Sequence, residues 1–168
     1  MSELLKIVSR EKELCVFILI GPPLSGKTTE INKVVEKFPD MQVISRDQIV
    51  VDVYGEDNYN LAFKSVNQKE VDKELTKKLM MVGSSLKSCI IDMTNMTRKR
   101  RMHNLSYFKN HKKIAIVFPI LKMDEYIRRN DKRTKEEKKT IPIHVIENMI
   151  SSYQTISKEE GFDKIYSL

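Results

Sequence analysis

Residues Gly21–Thr29, GPPLSGKTT, constrain the fold of this chain more than any other feature. They match G-x-x-x-x-G-K-[ST] at Gly21, Gly26, Lys27 and Thr28. A near-continuous apolar run, 14–20, precedes them, and the following residues place Ile31, Val34, Val35 and Phe38 on one helical face. Strand, glycine-containing loop and amphipathic helix are the context in which this motif has physical meaning. Glycines let the backbone curl so that its N–H groups point inward at phosphate oxygens, and the helix N-terminus adds a partial positive charge. Pro22, Pro23, Leu24, Ser25 and Thr29 complete the loop. The chemistry predicts Lys27 on the β- and γ-phosphates of ATP and the Thr28 hydroxyl on Mg²⁺. An ordinary Gly/Pro turn is the bland alternative, and motif and context together argue against it.

Beyond the loop, apolar runs of strand length alternate with helix-period segments. Strands are expected at 41–45, 88–93, 113–120 and near the end at DKIYSL. Helices are expected over about 57–86, with Val71, Leu75, Leu79, Val82 and Leu86 at spacings of four and three, over 97–110, and over 123–133. A polar stretch, TKEEKKT, should then separate a further helix, opened by Pro142, with Ile146, Met149, Ile150 and Tyr153 on one face. Alternating β and α units predict an α/β fold, a parallel sheet of four to five strands covered by helices on both faces. At 168 residues without repeats or a linker, one domain over 1–168 is expected.

Cys15 and Cys89 lie inside apolar runs with no metal spacing, so they read as small buried hydrophobes in a reducing compartment. The three histidines have no metal spacing either. The first residues are too charged for a signal peptide, and the run from Cys15 to Ile20 is too short to span a bilayer. A cytoplasmic protein without a membrane partner is the expectation, with a homo-oligomer left open. The net charge is +7, and its placement matters more than its sum. Arg98–Arg101 is RKRR, and Arg128–Lys139 holds seven basic residues against three acidic ones.

In an open parallel sheet, ligands bind at the carboxyl ends of the strands. Two strands end there in carboxylates, in Ser45-Arg46-Asp47 and Asp92-Met93-Thr94-Asn95. Phosphoryl transfer to a hydroxyl wants a carboxylate that accepts the proton and aims the nucleophile. Asp47 is the candidate, and capping the next helix is its ordinary alternative. Asp92 could stand near Mg²⁺ or orient its own loop. Arg129 and Arg133, four residues apart, share a helical face and could neutralise a transferring phosphate or simply lie in solvent. RKRR could meet a nucleic-acid backbone or form the solvated face of a helix.

With these residues in view, the chain resembles the kinase domain of phage and animal polynucleotide 5′-hydroxyl kinases. The likeness runs over nearly the whole length, through the phosphate loop, ISRD (44–47), Asp92-x-Thr94-Asn95, RRNDKR (128–133) and IPIHVIENM (141–149). It implies that Asp47 is the general base on the acceptor's 5′-hydroxyl. Arg133 would be the lid arginine on the β/γ-phosphates and Arg129 a nearby lid residue, in a helical lid at about 128–141. Arg46, Asp92, Thr94, Asn95 and Arg98 fall on the acceptor side. Two departures stand out. Val50 replaces an arginine that phage members carry three residues after the catalytic aspartate, and Lys135–Lys139 add charge to the lid. No DxDxT phosphatase signature is present, so a kinase module without a 3′-phosphatase partner is expected. The acceptor would be a DNA or RNA 5′ end. A nucleoside, sugar or hydroxymethylated base is the alternative, and an ATP-holding switch without transfer is the alternative of another class.

Overall fold

The computed structural model describes residues 2–168. Five strands, β1 (Cys15–Ile20), β2 (Gln42–Ser45), β3 (Cys89–Asp92), β4 (Lys112–Val117) and β5 (Lys164–Ser167), form one sheet in the order β2-β3-β1-β4-β5. Every pairing is parallel. This is the α/β P-loop arrangement that the alternating pattern predicts, with the phosphate loop rising from the central strand.

Strand β1 explains why the sheet is covered twice. Side chains alternate across a strand, and all six of its residues are buried. Val16, Ile18 and Ile20 enter one core with Ile44, Leu75, Leu79, Ile91, Phe108 and Ala115. Cys15, Phe17 and Leu19 enter a second core with Leu4, Ile31, Val34, Ile90 and Ile114. The second layer is built by α1 (Glu3–Arg10) and α2 (Lys27–Lys37). On the opposite face lie α3 (Arg46–Tyr54), α4 (Tyr59–Ser65), α5 (Gln68–Gly83) and α6 (Arg98–Leu105). α7 (Met123–Glu137) and α8 (Ile143–Ser151) complete the helices, and a short 3₁₀ turn, Lys158–Glu160, precedes β5. Both cysteines are free and buried, and burial pushes the Cys15 thiol up to about 11 and the Cys89 thiol to about 12.

Four expectations need correction. The single helix over 57–86 is two, because Val66 leaves the helical region and Asn67 starts a new one, its side chain accepting from Lys69 N. Leu86 keeps the helical spacing yet lies beyond Gly83 and is 89% exposed. At Gly83 a Cβ would stand 2.2 Å from the Tyr107 carbonyl oxygen, so the helix ends where it meets the turn after α6. The helix expected over 97–110 stops at Leu105, where Ser106 accepts no further turn and instead donates back to His103. TKEE, read as a spacer, continues α7 to Glu137, since straight-chain charged residues are good helix formers. The helix ends at Lys138, which adopts φ 52°. The next residues fold back on α7: Asn130 donates to Ile141 O at 2.8 Å and accepts from Ile141 N at 3.1 Å. The N-terminal helix α1 had no sequence expectation at all.

Candidate active site

The phosphate loop is held open from below. Gly21 N donates to Thr94 O at 3.0 Å, tying the loop's first residue to the segment after β3. A Cβ at Gly21 would stand 2.9 Å from Phe118 Cβ, so this glycine is required by close approach rather than by φ. Leu24 and Gly26 both take positive φ, 64° and 100°. Gly26 caps α2 without any side-chain bond. The first-turn N–H groups of α2 therefore stay directed outward at the helix's positive end, a ready anion site. Ser25 and Pro22 are buried, Pro23 is half-buried, and Thr28 and Thr29 are exposed at the mouth.

Lys27 is turned into the loop and away from solvent. Its side chain is buried, and Nζ donates to Gly21 O (2.9 Å), Pro22 O (2.7 Å) and Ser25 Oγ (3.3 Å). Burial pushes its ammonium down to about 8; Asp92 and then Asp47 pull it back, and Arg133 adds to the depression. Register explains the two carboxylates: Ser45 lies opposite Asp92 across β2 and β3, so Arg46 and Asp47 begin α3 beside the end of β3. Burial raises the Asp92 carboxyl, with Lys27 opposing.

Asp47 does not cap α3. Ser45 does, accepting from Gln48 N at 3.4 Å, and Asp47 sits in the first turn with its carboxylate turned outward. Tyr59 donates its hydroxyl to Oδ1 at 3.1 Å, and Lys139 donates to Oδ2 at 2.7 Å. Burial, then Asp47, pushes the Tyr59 phenol up. Lys139 entered the sequence reading only as added lid charge; it lies 92 positions from Asp47, and only the return of the chain after α7 brings it there.

From α7, Arg129 donates to Leu24 O at 2.9 Å and to Glu125 at 2.6 Å, stitching this helix to the loop. Two arginines hold the Glu125 carboxyl down at about 2. Arg133 is paired with Glu137 at 3.0 Å.

Two other candidates turn toward the scaffold. Arg46 reaches α5, donating to Gln68 (2.7 Å) and Asp72 (3.2 Å). Asn95, expected on the acceptor, is 1% exposed and at φ 48°. Its amide donates to Leu19 O at 2.8 Å and accepts from Asn104 at 2.8 Å, so both ends are engaged inside. Thr94 faces the loop through its carbonyl. Val50 is fully buried in the core.

The RKRR run divides. Arg98, Lys99 and Arg100 are exposed, whereas Arg101 is fully buried. Its guanidinium donates to Glu160 (2.7 Å), to Asn95 O and Met96 O (both 3.1 Å) and to Gln154 O (3.0 Å). Neither a wholly solvated face nor a four-residue contact for nucleic acid describes it.

The donor set fits a magnesium nucleotide: an uncapped helix start, a buried lysine, an exposed threonine hydroxyl and an adjacent carboxylate. Thr28 and Asp92 are residues that could hold Mg²⁺, which takes few protein ligands and completes its shell with phosphates and water. Among the described residues, no helix is long and apolar enough to cross a membrane.

Solved structures share this fold. A chain of the Pnkp1/Rnl/Hen1 RNA repair complex superposes with a TM-score of 0.68 at 23% identity, over 93% of this chain and 49% of that one. This chain thus spans about half the length of that relative. A fungal RNA kinase gives a TM-score of 0.59 at 19% identity, over 94% and 75% of the two chains. Kti12 of Chaetomium thermophilum, in complex with ADP-AlF3, gives 0.61 at 15% identity, over 91% and 88%. A comparison with curated protein sequences finds no match. A family model described as AAA domain matches residues 16–156, from β1 and its phosphate loop to the segment bonded by Arg101, and the chain belongs to that family.

Proposed function

We propose that this protein is an ATP- and Mg²⁺-dependent polynucleotide 5′-hydroxyl kinase. The observation that carries the reading is the buried Lys27 bonded into the phosphate loop at the carboxyl ends of the strands, where the register of β2 on β3 sets Asp47, at the start of α3, beside Asp92. Lys27 and the first turn of α2 bind the β- and γ-phosphates of the substrate ATP. Asp47 accepts the proton of the acceptor's 5′-hydroxyl as its oxygen bonds to the γ-phosphorus. The bond from that phosphorus to the bridging oxygen breaks, and the electron pair leaves with ADP. Arg133 neutralises charge on the group in transit. Mg²⁺, held by Thr28 and Asp92, supplies charge stabilisation across the phosphates when bound.

A polynucleotide acceptor is supported by the RNA kinase and RNA repair chains among the structural relatives. The exposed cations Arg98, Lys99 and Arg100 and the basic turn after α7 support it independently. The test is transfer of labelled γ-phosphate to a 5′-hydroxyl oligonucleotide, with a 5′-phosphorylated oligonucleotide and Asp47→Asn as controls. Label at the 5′ end, lost in both controls, is the expected outcome. ATP hydrolysis without labelling of any oligonucleotide would defeat the acceptor and leave small alcohols or modified bases.

A further inference from the structure

Lys139 is placed with unusual care for a residue in a charged turn. Its side chain is only 12% exposed. Nζ lies 2.7 Å from Asp47 and 3.6 Å from the centre of the Tyr59 ring. Its backbone is fixed from both sides by Asn60 of α4, whose amide donates to Lys138 O at 2.7 Å and accepts from Thr140 N at 3.3 Å. A solvated lysine needs none of this. One turn further along the same face of α4, Phe63 leaves 49% of its surface in water, with its ring 5.8 Å from that of Tyr59 at a 30° tilt.

We propose that α4 and the turn 138–140 form the acceptor subsite, in which Lys139 takes a backbone phosphate near the 5′ end and the Tyr59–Phe63 edge stacks an unpaired base, so that the acceptor is a single-stranded end. This rests on the reading of the chain as a polynucleotide kinase and adds where and how the polymer is held. Cation and aromatic faces side by side are what single strands require: the cation follows the backbone, and the ring takes any base by stacking. A neutral sugar alcohol uses neither Phe63 nor a second cation. The contact has a chemical consequence. A phosphate reaching Lys139 competes with Asp47 for the ammonium, and the released Oδ2 is free to accept the hydroxyl proton. The base is therefore unmasked by the molecule it acts on. The exposed cations of α6 are the competing track; they offer charge, but no exposed aromatic ring of α4 lies among them.

Binding can be read without catalysis, by the fluorescence anisotropy of a 3′-labelled single-stranded oligonucleotide with a free 5′-hydroxyl and no ATP. Phe63→Ala should weaken binding roughly five- to hundredfold, the range expected from one lost base stack, without changing its salt dependence. Lys139→Met should weaken binding and lower the slope of log affinity against log salt by about 0.7, one phosphate contact on a single strand. Lys139→Arg should restore most of it. Affinity for a fluorescent ATP analogue should hold in all three, which a general collapse of the site would not allow. If both Phe63→Ala and Lys139→Met bind as the wild type does while Lys99→Ser with Arg100→Ser binds weakly, the strand runs over α6 and the subsite on α4 is wrong. A wild type that binds no oligonucleotide overturns the polynucleotide reading and this subsite together.

Discussion

Two ion pairs in this molecule use the same kinds of group to opposite ends. Arg101–Glu160 has both side chains fully buried, with the guanidinium bonded to one carboxylate and to several backbone carbonyls. Lys139–Asp47 sits at the mouth of the site; its aspartate is 55% exposed, and its lysine bonds one carboxylate and faces one ring. Each basic partner comes from a charge-rich run, RKRR in one case and KEEKK in the other. What separates them is saturation. Every direction around Arg101 is filled, so it can only hold. Lys139 can exchange partners, so it can act. A buried pair that loses one member leaves an uncompensated charge, whereas Asp47, 55% exposed, is returned to water when Lys139 leaves it.

Breaking the buried pair should have the largest effect. Arg101→Met leaves Glu160 without its partner and several carbonyls without a donor, and should cost about 3–5 kcal/mol. For a domain of this size that lowers the melting midpoint by about 6–20 °C; a shift within about 3 °C in a thermal scan would mean the pair is not a structural tie. The converse substitution is Asp47→Asn. Its stability should stay within about 1 kcal/mol of the wild type, while phosphotransfer falls about 10²- to 10⁴-fold, the range for a lost general base. An inactive protein that also melts early would erase the distinction between the two pairs.

Lys27 sharpens the comparison because its burial is incompletely compensated. Its folded value of about 8 lies below the ordinary lysine value of 10.5. Between these values the unfolded chain keeps the proton and the folded chain does not, so this group's contribution to stability rises with pH over that window. Nucleotide affinity should run the other way, falling about tenfold per pH unit above 8 as the ammonium is lost. Calorimetry in buffers of different ionisation enthalpy should register proton uptake on binding near pH 8, and no uptake would argue that Lys27 is already charged. The smallest effect belongs to the neighbours of Arg101. Lys99→Ser and Arg100→Ser should each change stability by less than about 0.5 kcal/mol, measured by urea titration; a larger loss would show that the whole run is structural.

The parts legible in the sequence are those whose cause is local. The phosphate loop announces itself by composition, and the strands by apolar runs bounded by polar residues. Ser2 and the spacing of Leu4, Ile7 and Val8 were enough to find α1: the serine accepts from Leu5 N and the three side chains are buried. That signal was masked by the charge of the segment. The break before α5 was also marked, by Asn67 at a cap position. The two ion pairs were not legible. Arg101 and Glu160 lie 59 residues apart, Lys139 and Asp47 92, and neither run differs from an ordinary solvated stretch until the fold closes. The same holds for Asn95, whose residue type suits a ligand as well as it suits the buried staple it forms.

That staple connects regions far apart in the chain. Leu19 and Gly21 are bonded to residues 94–95, and Asn95 is bonded to Arg101, which grips Gln154 and Glu160. Ligand bound at the loop favours states in which these fastenings are made, and by reciprocity, local opening around 154–160 weakens the hold on the ligand. Slowed amide exchange, or slowed proteolysis, of a segment that touches no phosphate would then register occupancy of the loop. The tail of the domain becomes a remote gauge of what its phosphate loop holds.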